Sequence, residues 1–365
     1  MGILYVTKGY YQVQKQIFSY LRKKDPSSAL FLFSPRWIKG LGVTEENQDC
    51  YNNPSLLRGT LFYIPRLKHI YKHGLLPVLK SGKYTVLHAN MMFVDGYICR
   101  LAYEQLGIPY VLSVRDTDMN GKAFWGNSKL RDMGIENLKK AKAVVCLSPS
   151  YKKELLNKVP AEIRDEIGRK TYVIGNGINV FWHDNKLQGK KSAPGKTIRL
   201  ITAGEITKRK NQTTVAKAAQ ILRDSGYDVS YSVIGKVKDN EVYDTLKEHE
   251  WIDVIPFLPK EELIGRYRES DIFVMPSLTE TFGLTYAEAM TQGLPVIYSQ
   301  GQGFDEQFPE GTVGFHVNSN DPAEIADRIR DILDDYPAIS ERCVSNSSRF
   351  YWDIVIDRFY ELYNS

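Results

Sequence analysis

The 365 residues hold only four cysteines, Cys50, Cys99, Cys146 and Cys343, and no two of them form a C-x-x-C pair. This excludes a disulfide framework and a cysteine-rich zinc module, and it fits a reducing compartment in which free thiols act as small core residues. No apolar run approaches the roughly 20 residues that cross a bilayer. The opening MGILYVT reads directly as a strand, without the basic, apolar and cleavage regions of a secretory leader, so a cytoplasmic location is expected. A complete G-x-G-x-x-G is also missing: Gly175–Gly177 and Gly301–Gly303 each lack the third glycine, which leaves a dinucleotide oxidoreductase poorly supported. Histidine is scarce. His69 and His73 stand four apart and could share a helix face, but no third ligand is nearby, and the D-x-D of Asp116 and Asp118 is the only one close to a strand end. No metal site is expected.

Acidic residues are missing from one long interval. Between Asp49 and Asp95 there is no carboxylate, while Arg58, Arg66, Lys68, Lys72, Lys80 and Lys83 alternate with Leu61, Phe62, Tyr63, Ile64, Leu67, Ile70, Tyr71, Leu75 and Leu76. Residues 1–180 carry 27 Lys and Arg against 14 Asp and Glu, and the remainder 21 against 29. A basic segment with apolar partners suits an anionic membrane surface, so Arg58, Arg66, Lys68 and Lys72 are candidate contacts with the inner face of a membrane. The same pattern also describes a solvated helix packed on the core by its apolar stripe. Nucleic acid ranks last, because no recognisable module accompanies the charge.

What the chain does have is rhythm. With 43% hydrophobic and 25% charged residues it is an ordinary globular sequence, long enough for two domains. Apolar runs at Ile3–Thr7, Leu30–Phe33, Tyr84–His88, Tyr110–Val114, Ala143–Leu147 and Thr171–Ile174 alternate with helical stretches such as Gly96–Leu106 and Ser128–Lys140. A second series follows at Ile198–Ala203, Val229–Ile234, Ile252–Ile255, Ile272–Met275 and Val296–Tyr298, and Asn176–Gly195 reads as the linker between the two. Alternation of this kind predicts an α/β fold of two Rossmann-like, doubly wound parallel sheets, with a cleft between them.

The stretch DIFVMPSLTETFGLTYAEAMTQGLPVIY, residues 271–298, carries the chemistry. It reads as strand, loop, a helix from Gly283 to Gln292, and strand. The amides of Phe282, Gly283 and Leu284 would then open a helix, where unpaired donors and the positive dipole end suit a diphosphate. Gly283 lets a ligand approach the backbone. Glu280 on the loop and Glu288 in the helix could each accept hydrogen bonds from vicinal hydroxyls, although both would also pass for surface carboxylates of an amphipathic helix.

Pro276, Ser277, Glu280, Phe282, Gly283, Glu288, Ala289, Met290, Gly293, Pro295 and Val296 together resemble the Glu-x7-Glu signature of glycosyltransferase family 4, whose members are retaining enzymes of the GT-B fold. Residues 88–120 are similar to the acceptor-domain stretch of family 4 enzymes of bacterial surface-polysaccharide and teichuronic-acid type pathways. His88, Ala89, Asp95, Gly96, Tyr97, Leu106 to Pro109, Arg115, Asp118 and Asn120 match, while Asn90 departs from a second His and Asp116-Thr117 from Gly-Ser. NGIN at 176–179 resembles the family's N-G-V-D, and the helix from Trp352 resembles the one that returns to brace the first domain. In AGEITKRKNQ, Gly204 and Lys210 match a phosphate-binding G-R-L-x-x-x-K-G, but Glu205 stands in place of Arg and Asn211 in place of Gly.

The resemblance implies an acceptor-binding domain over 1–180, a donor-binding domain over 181–345 and a bracing C-terminal helix over 346–365. It makes Glu280, Lys210 and Arg115 the catalytic candidates. Glu288, Thr281, Phe282, Gly283, Leu284, Gly204, Glu205, Arg209 and Gly235 become the donor site, and Gly9, His88, Asp116 and Asp118 the acceptor side. Lys210, helped by Arg209 or Arg115, would stabilise the leaving diphosphate without a metal. The implied substrates are a nucleotide-sugar, with UDP-sugar foremost, and a saccharide or polyprenyl-diphosphate-linked acceptor, with no separate cofactor. A nucleotide-sugar 2-epimerase and a non-catalytic partner subunit of another transferase are the alternatives.

Overall fold

Two parallel sheets carry the chain. The computed structural model describes residues 2–9, 12–33, 50–52 and 63–365, with the backbone alone for 50–52. The first sheet contains β1 (Ile3–Thr7), β2 (Ala29–Leu32), β3 (Cys50–Asn52), β4 (Val86–Ala89), β5 (Tyr110–Val114), β6 (Ala143–Cys146) and β7 (Thr171–Val173), in the order β3-β2-β1-β4-β5-β6-β7. The second contains β8 (Thr197–Ala203), β9 (Asp228–Ile234), β10 (Ile252–Ile255), β11 (Ile272–Val274), β12 (Val296–Ser299) and β13 (Gly314–Val317), in the order β10-β9-β8-β11-β12-β13. Each order steps outward from one central strand and then reverses, the doubly wound pattern that right-handed crossovers produce. Strands such as β1, β5 and β6 are buried along their whole length, as sheets covered by helices on both faces require. The α/β fold with two doubly wound parallel sheets read from the sequence is therefore the one observed.

The chain divides into a first unit of Met1–Leu147, Tyr151–Ile174 and Val355–Ser365, and a second of Ser148–Ser150 and Gly175–Ile354. The helix Trp352–Asn364 thus gives most of its length to the first unit. Lys24 pairs with Asp357, Arg358 donates to the Val173 carbonyl, and the Lys142 ammonium donates to the Tyr363 carbonyl at 3.0 Å.

Two strands escaped the sequence reading. β3 is three residues long, and β13 contains Gly314 and His316, so neither presents an apolar run. The proposed linker is partly ordered, because Asn179 caps a helix Val180–Asp184 by accepting from the Phe181 amide at 3.0 Å.

The basic segment within the carboxylate-free interval needs a correction. Tyr63–Ile70 is an α-helix that continues through one π-helical turn, Tyr71–Leu75, into Leu76–Leu79. Leu67, Ile70, Tyr71, Leu75 and Leu79 are buried in the first unit's core, so they are not available to lipid. Lys68, Lys72 and Lys80 remain exposed beside His69 and His73, and Arg66 lies over the Tyr63 ring at 5.5 Å. Arg58, Leu61 and Phe62 lie outside the described residues. Among the described residues no helix is long and apolar enough to cross a membrane.

Candidate active site

In the second unit, most of the donor-site residues converge at the C-terminal ends of the central strands. β8 ends at Ala203, and Gly204 follows. A Cβ on Gly204 would lie 3.6 Å from Lys210 Cε, and one on Gly235 would lie 1.8 Å from the Gly204 carbonyl oxygen, so two strand ends meet there at a distance only glycine permits. Thr207 caps the turn that follows, its hydroxyl accepting from the Lys210 amide at 3.3 Å, which brings the Lys210 side chain back over the strand ends. There its buried ammonium pairs with Glu280, 70 positions on. Glu280 is held at several further points: its amide donates to Gln302 Oε1 at 2.9 Å, its carbonyl accepts from the Gly303 amide at 2.9 Å, and its carboxylate accepts from the Thr281 amide at 3.2 Å.

Gly283 adopts a left-handed backbone, φ 76°, immediately before the helix Leu284–Thr291. A Cβ added there would meet the Tyr286 ring at 2.3 Å and Glu280 Cγ at 3.4 Å, so the helix starts close beside Glu280. Phe282 is buried and packs edge-on against Phe350, fixing the loop from below. Glu288, a turn further on, is half-buried. Protein packed around its carboxyl raises its pKa to about 7, against the lowering effect of a hydrogen bond from Trp182. A cavity of about 700 Å³ adjoins Gly235, lined by Lys236, Tyr243, Val254, Pro256 and Phe257.

Two further donor-site candidates lie on the surface. Arg209 is exposed and donates to the Thr279 carbonyl at 3.0 Å. Glu205, also exposed, offers its carbonyl to Gln212 at 2.9 Å.

The remaining candidates belong to the first unit. Arg115 follows β5, with its guanidinium donating to Asn90 Oδ1 at 3.1 Å; Asn90 in turn accepts from the Tyr5 hydroxyl at 2.6 Å. Gly9 hydrogen-bonds Thr7 just past β1. Asp116 is partly open and accepts from Asn120 at 2.6 Å and Tyr151 at 3.1 Å.

His88 and Asp118 do not face an acceptor. His88 is fully buried, one ring nitrogen meeting the Tyr363 hydroxyl and the other Ser113 at 2.9 Å. Burial lowers its pKa to about 3, so it is a neutral core residue that docks the C-terminal helix. Asp118 is fully buried as well and accepts from the amides of Met92 at 3.0 Å and Arg115 at 2.9 Å. Burial lifts its pKa to about 6, and its charge adds to the burial that raises Asp95. These two aspartates order the loops after β4 and β5. The sequence reading did not single out Trp182, Gln302 or the cavity beside Gly235; only the glycine pair around Gln302 hinted at a close backbone approach.

The geometry agrees with known families. Residues 31–180 match the family described as Glycosyltransferase Family 4, and residues 184–350 match Glycosyl transferases group 1. A D-inositol 3-phosphate glycosyltransferase of Pseudarthrobacter chlorophenolicus is 32% identical over 150 residues, which is 39% of this chain and 36% of that one. Another, of Streptomyces avermitilis, is 25% identical over 328 residues, 81% of this chain and 69% of that one. The chain spans about a third of the length of the first of these relatives. In fold it is similar to Anabaena HepE in complex with UDP, with a TM-score of 0.73, 16% identity and 100% of each chain covered. It is likewise similar to the lipopolysaccharide outer core galactosyltransferase WaaB, with a TM-score of 0.76, 12% identity and 99% of each chain covered. The two family matches stand side by side over 31–180 and 184–350, so the chain pairs a Glycosyltransferase Family 4 domain with a Glycosyl transferases group 1 domain, on the GT-B fold.

Proposed function

We propose that this chain transfers a sugar from a nucleotide-sugar, with a UDP-sugar as the expected donor, to an anionic acceptor, with retention of configuration and without a metal. The observation that carries the reading is the buried Lys210–Glu280 pair beside Gly204, Gly235 and the helix start at Gly283. An ammonium and a set of helix-opening amides can take up the charge that develops on a departing diphosphate. On this reading Glu288 accepts from the ribose, and the cavity beside Gly235 has the size range of small-molecule sites. If the acceptor hydroxyl attacks on the face that the diphosphate leaves, the departing phosphate takes its proton and no carboxylate nucleophile is required.

The acceptor side rests on charge. The first half of the chain holds 27 basic against 14 acidic residues, and relatives named for D-inositol 3-phosphate act on a phosphorylated polyol. Phosphate is the shared chemistry of that acceptor and of a polyprenyl-diphosphate-linked saccharide, which would place the protein at the inner face of a membrane in polysaccharide or glycoconjugate synthesis. Thermal stabilisation by UDP-, GDP-, ADP- and CMP-sugars tests the donor, because ligand at a hundred times its Kd adds about 2.7 kcal/mol to the folded state. Transfer to soluble inositol phosphate or to lipid-linked diphosphate in vesicles, each with and without EDTA, tests the rest. Loss of activity in EDTA with recovery in Mg²⁺ would overturn the metal-free mechanism, and release of free epimerised nucleotide-sugar would replace transfer by epimerisation.

A further inference from the structure

The loop that carries Glu280 is tied to the loop that follows β12, and one side chain makes the central tie. Gln302 Oε1 accepts from the Glu280 main-chain amide at 2.9 Å, while the amide of the next residue, Gly303, donates to the Glu280 carbonyl at 2.9 Å. Ser299 adds a third tie, its hydroxyl donating to the Ser277 carbonyl. Both polar main-chain groups of Glu280 are thus held by two consecutive residues, and its carboxylate is left to meet Lys210 and the Thr281 amide. We propose that Gln302 is a positioning residue for Glu280, setting, through the Glu280 main chain, where that carboxylate meets the sugar being transferred. The inference rests on the reading of Glu280 as an active-site carboxylate.

Gln302 starts from a fixed main chain. Its carbonyl accepts from the Ser150 hydroxyl at 2.8 Å and from the Asp305 amide at 2.9 Å. Asp305 in turn accepts from the Gly301 amide at 2.6 Å with one carboxylate oxygen and meets His316 Nδ1 at 2.9 Å with the other, so the turn is held on both sides of Gln302. Only an oxygen can accept from a main-chain N–H, which settles the orientation of the side-chain amide, and the bond to Glu280 is the one hydrogen bond that this side chain makes among the described residues. A carboxylate on a loop is aimed by its backbone, and a misplacement of about 1 Å can cost about 100-fold in rate. A residue that only stabilises the loop differs from one that aims Glu280 in one respect. The amide and carbonyl of residue 280 persist when its carboxylate is removed, so the stability lost with Gln302 is the same with or without that carboxylate, whereas an effect on turnover that passes through the carboxylate disappears with it.

The test is a double-mutant cycle of Gln302→Met, which keeps the length of the side chain and loses the acceptor, with Glu280→Ala. It is read as Tm and as UDP release from UDP-glucose, UDP-galactose or UDP-N-acetylglucosamine, whichever wild type turns over fastest. Gln302→Met alone should lower kcat at least tenfold, with KM within about threefold of wild type. In the Glu280→Ala background it should change kcat less than about twofold, while lowering Tm equally in both backgrounds. If Glu280→Ala is impaired but Gln302→Met lowers kcat by the same factor in both backgrounds, or in neither, the positioning role is wrong and Glu280 keeps its place in the active site. Full turnover by Glu280→Ala removes Glu280 from the site, and the inference falls with that reading. Should Gln302→Met fail to fold, or turnover be too slow to measure, hydrogen exchange in wild type decides: the Glu280 amide should be protected at least tenfold more than that of exposed Thr279, and equal protection overturns the proposal.

Discussion

Glu288→Gln should move stability and binding in opposite directions. In the folded chain this carboxyl titrates at about 7 instead of its ordinary 4.5, with burial as the first cause. A folded-state pKa above the unfolded one means that the folded protein holds the proton more tightly. Stability is then intact below about 4.5, declines as pH rises towards 7, and stays at the lower level beyond. At about 1.4 kcal/mol per pH unit the displacement corresponds to about 3 kcal/mol, which is a ceiling. Half-burial leaves solvent to screen part of it, so about 1–2 kcal/mol is the working figure. Glutamine has nearly the same shape, keeps an oxygen for the Trp182 indole and never ionises. Nucleotide-free Glu288→Gln should therefore gain about 1–2 kcal/mol over wild type between pH 5 and pH 8, measured by urea unfolding followed by far-UV circular dichroism. The same variant should bind UDP about 5- to 150-fold more weakly at pH 8, because an uncharged amide with one acceptor oxygen satisfies two ribose hydroxyls less well than a carboxylate, a loss of about 1–3 kcal/mol. A stability difference that does not change with pH would refute the burial argument, and an unchanged Kd would refute the ribose assignment.

Lys210→Ala should lower kcat by about 2–4 kcal/mol in activation free energy, the scale of one preorganised charge stabiliser, and should also lower Tm because Glu280 is left buried without its cation. Adding Glu280→Gln should restore Tm but not kcat; recovery of kcat would remove Lys210 from catalysis. Gly303→Ala places a Cβ 2.1 Å from the Thr281 carbonyl oxygen and 2.6 Å from the Phe282 amide nitrogen. It should cost about 1–3 kcal/mol of stability and weaken UDP binding at least tenfold, and unchanged calorimetric affinity would show that the 281–283 backbone does not contact the nucleotide. Reversing the exposed Lys68, Lys72 and Lys80 to Glu should reduce flotation with anionic liposomes, as should 1 M salt, which shortens the Debye length to about 3 Å. Equal flotation of variant and wild type would leave a soluble acceptor as the better reading.

The sheets were legible because their strands are apolar. Tyr110–Val114 and Ile252–Ile255 appear with the limits that the runs suggest, while the three-residue β3 and the Gly- and His-containing β13 do not. Pairing across the chain was harder to read. Lys210 and Glu280 were both singled out, but composition does not say that residues 70 positions apart will form an ion pair over the strand ends. The direction of an amphipathic face is equally silent in sequence: Leu67, Ile70 and Leu75 could have met lipid, and the first unit's core buries them instead. His88 misled for a related reason, because its place in a recognisable motif reflects docking of Tyr363 and Phe359 from the returning helix. Trp182 was missed because the segment around it has little periodicity and reads as a connector.

The replacement of the clamp arginine by Glu205 changes how an anion can be held. Glu205 is exposed, and Arg209 is committed through its guanidinium to the Thr279 carbonyl, so Lys210 supplies the buried positive charge at the strand ends. That charge is already shared with Glu280. Two carboxylates eight residues apart thus have different surroundings: Glu280 sits against a cation, whereas Glu288 is opposed by a neutral indole and carries the burial cost itself. On the proposed reading, a diphosphate arriving beside Lys210 draws on donors that carry no formal charge, the first amides of the helix Leu284–Thr291, which opens after the left-handed turn at Gly283, while Gly303 lets the 281–282 peptide approach it closely. On that reading the two glycines supply much of what an arginine at position 205 would provide. Their contribution comes through geometry, and it is screened by salt less than a surface cation would be, because the loop around them is buried at Phe282 and Gly303.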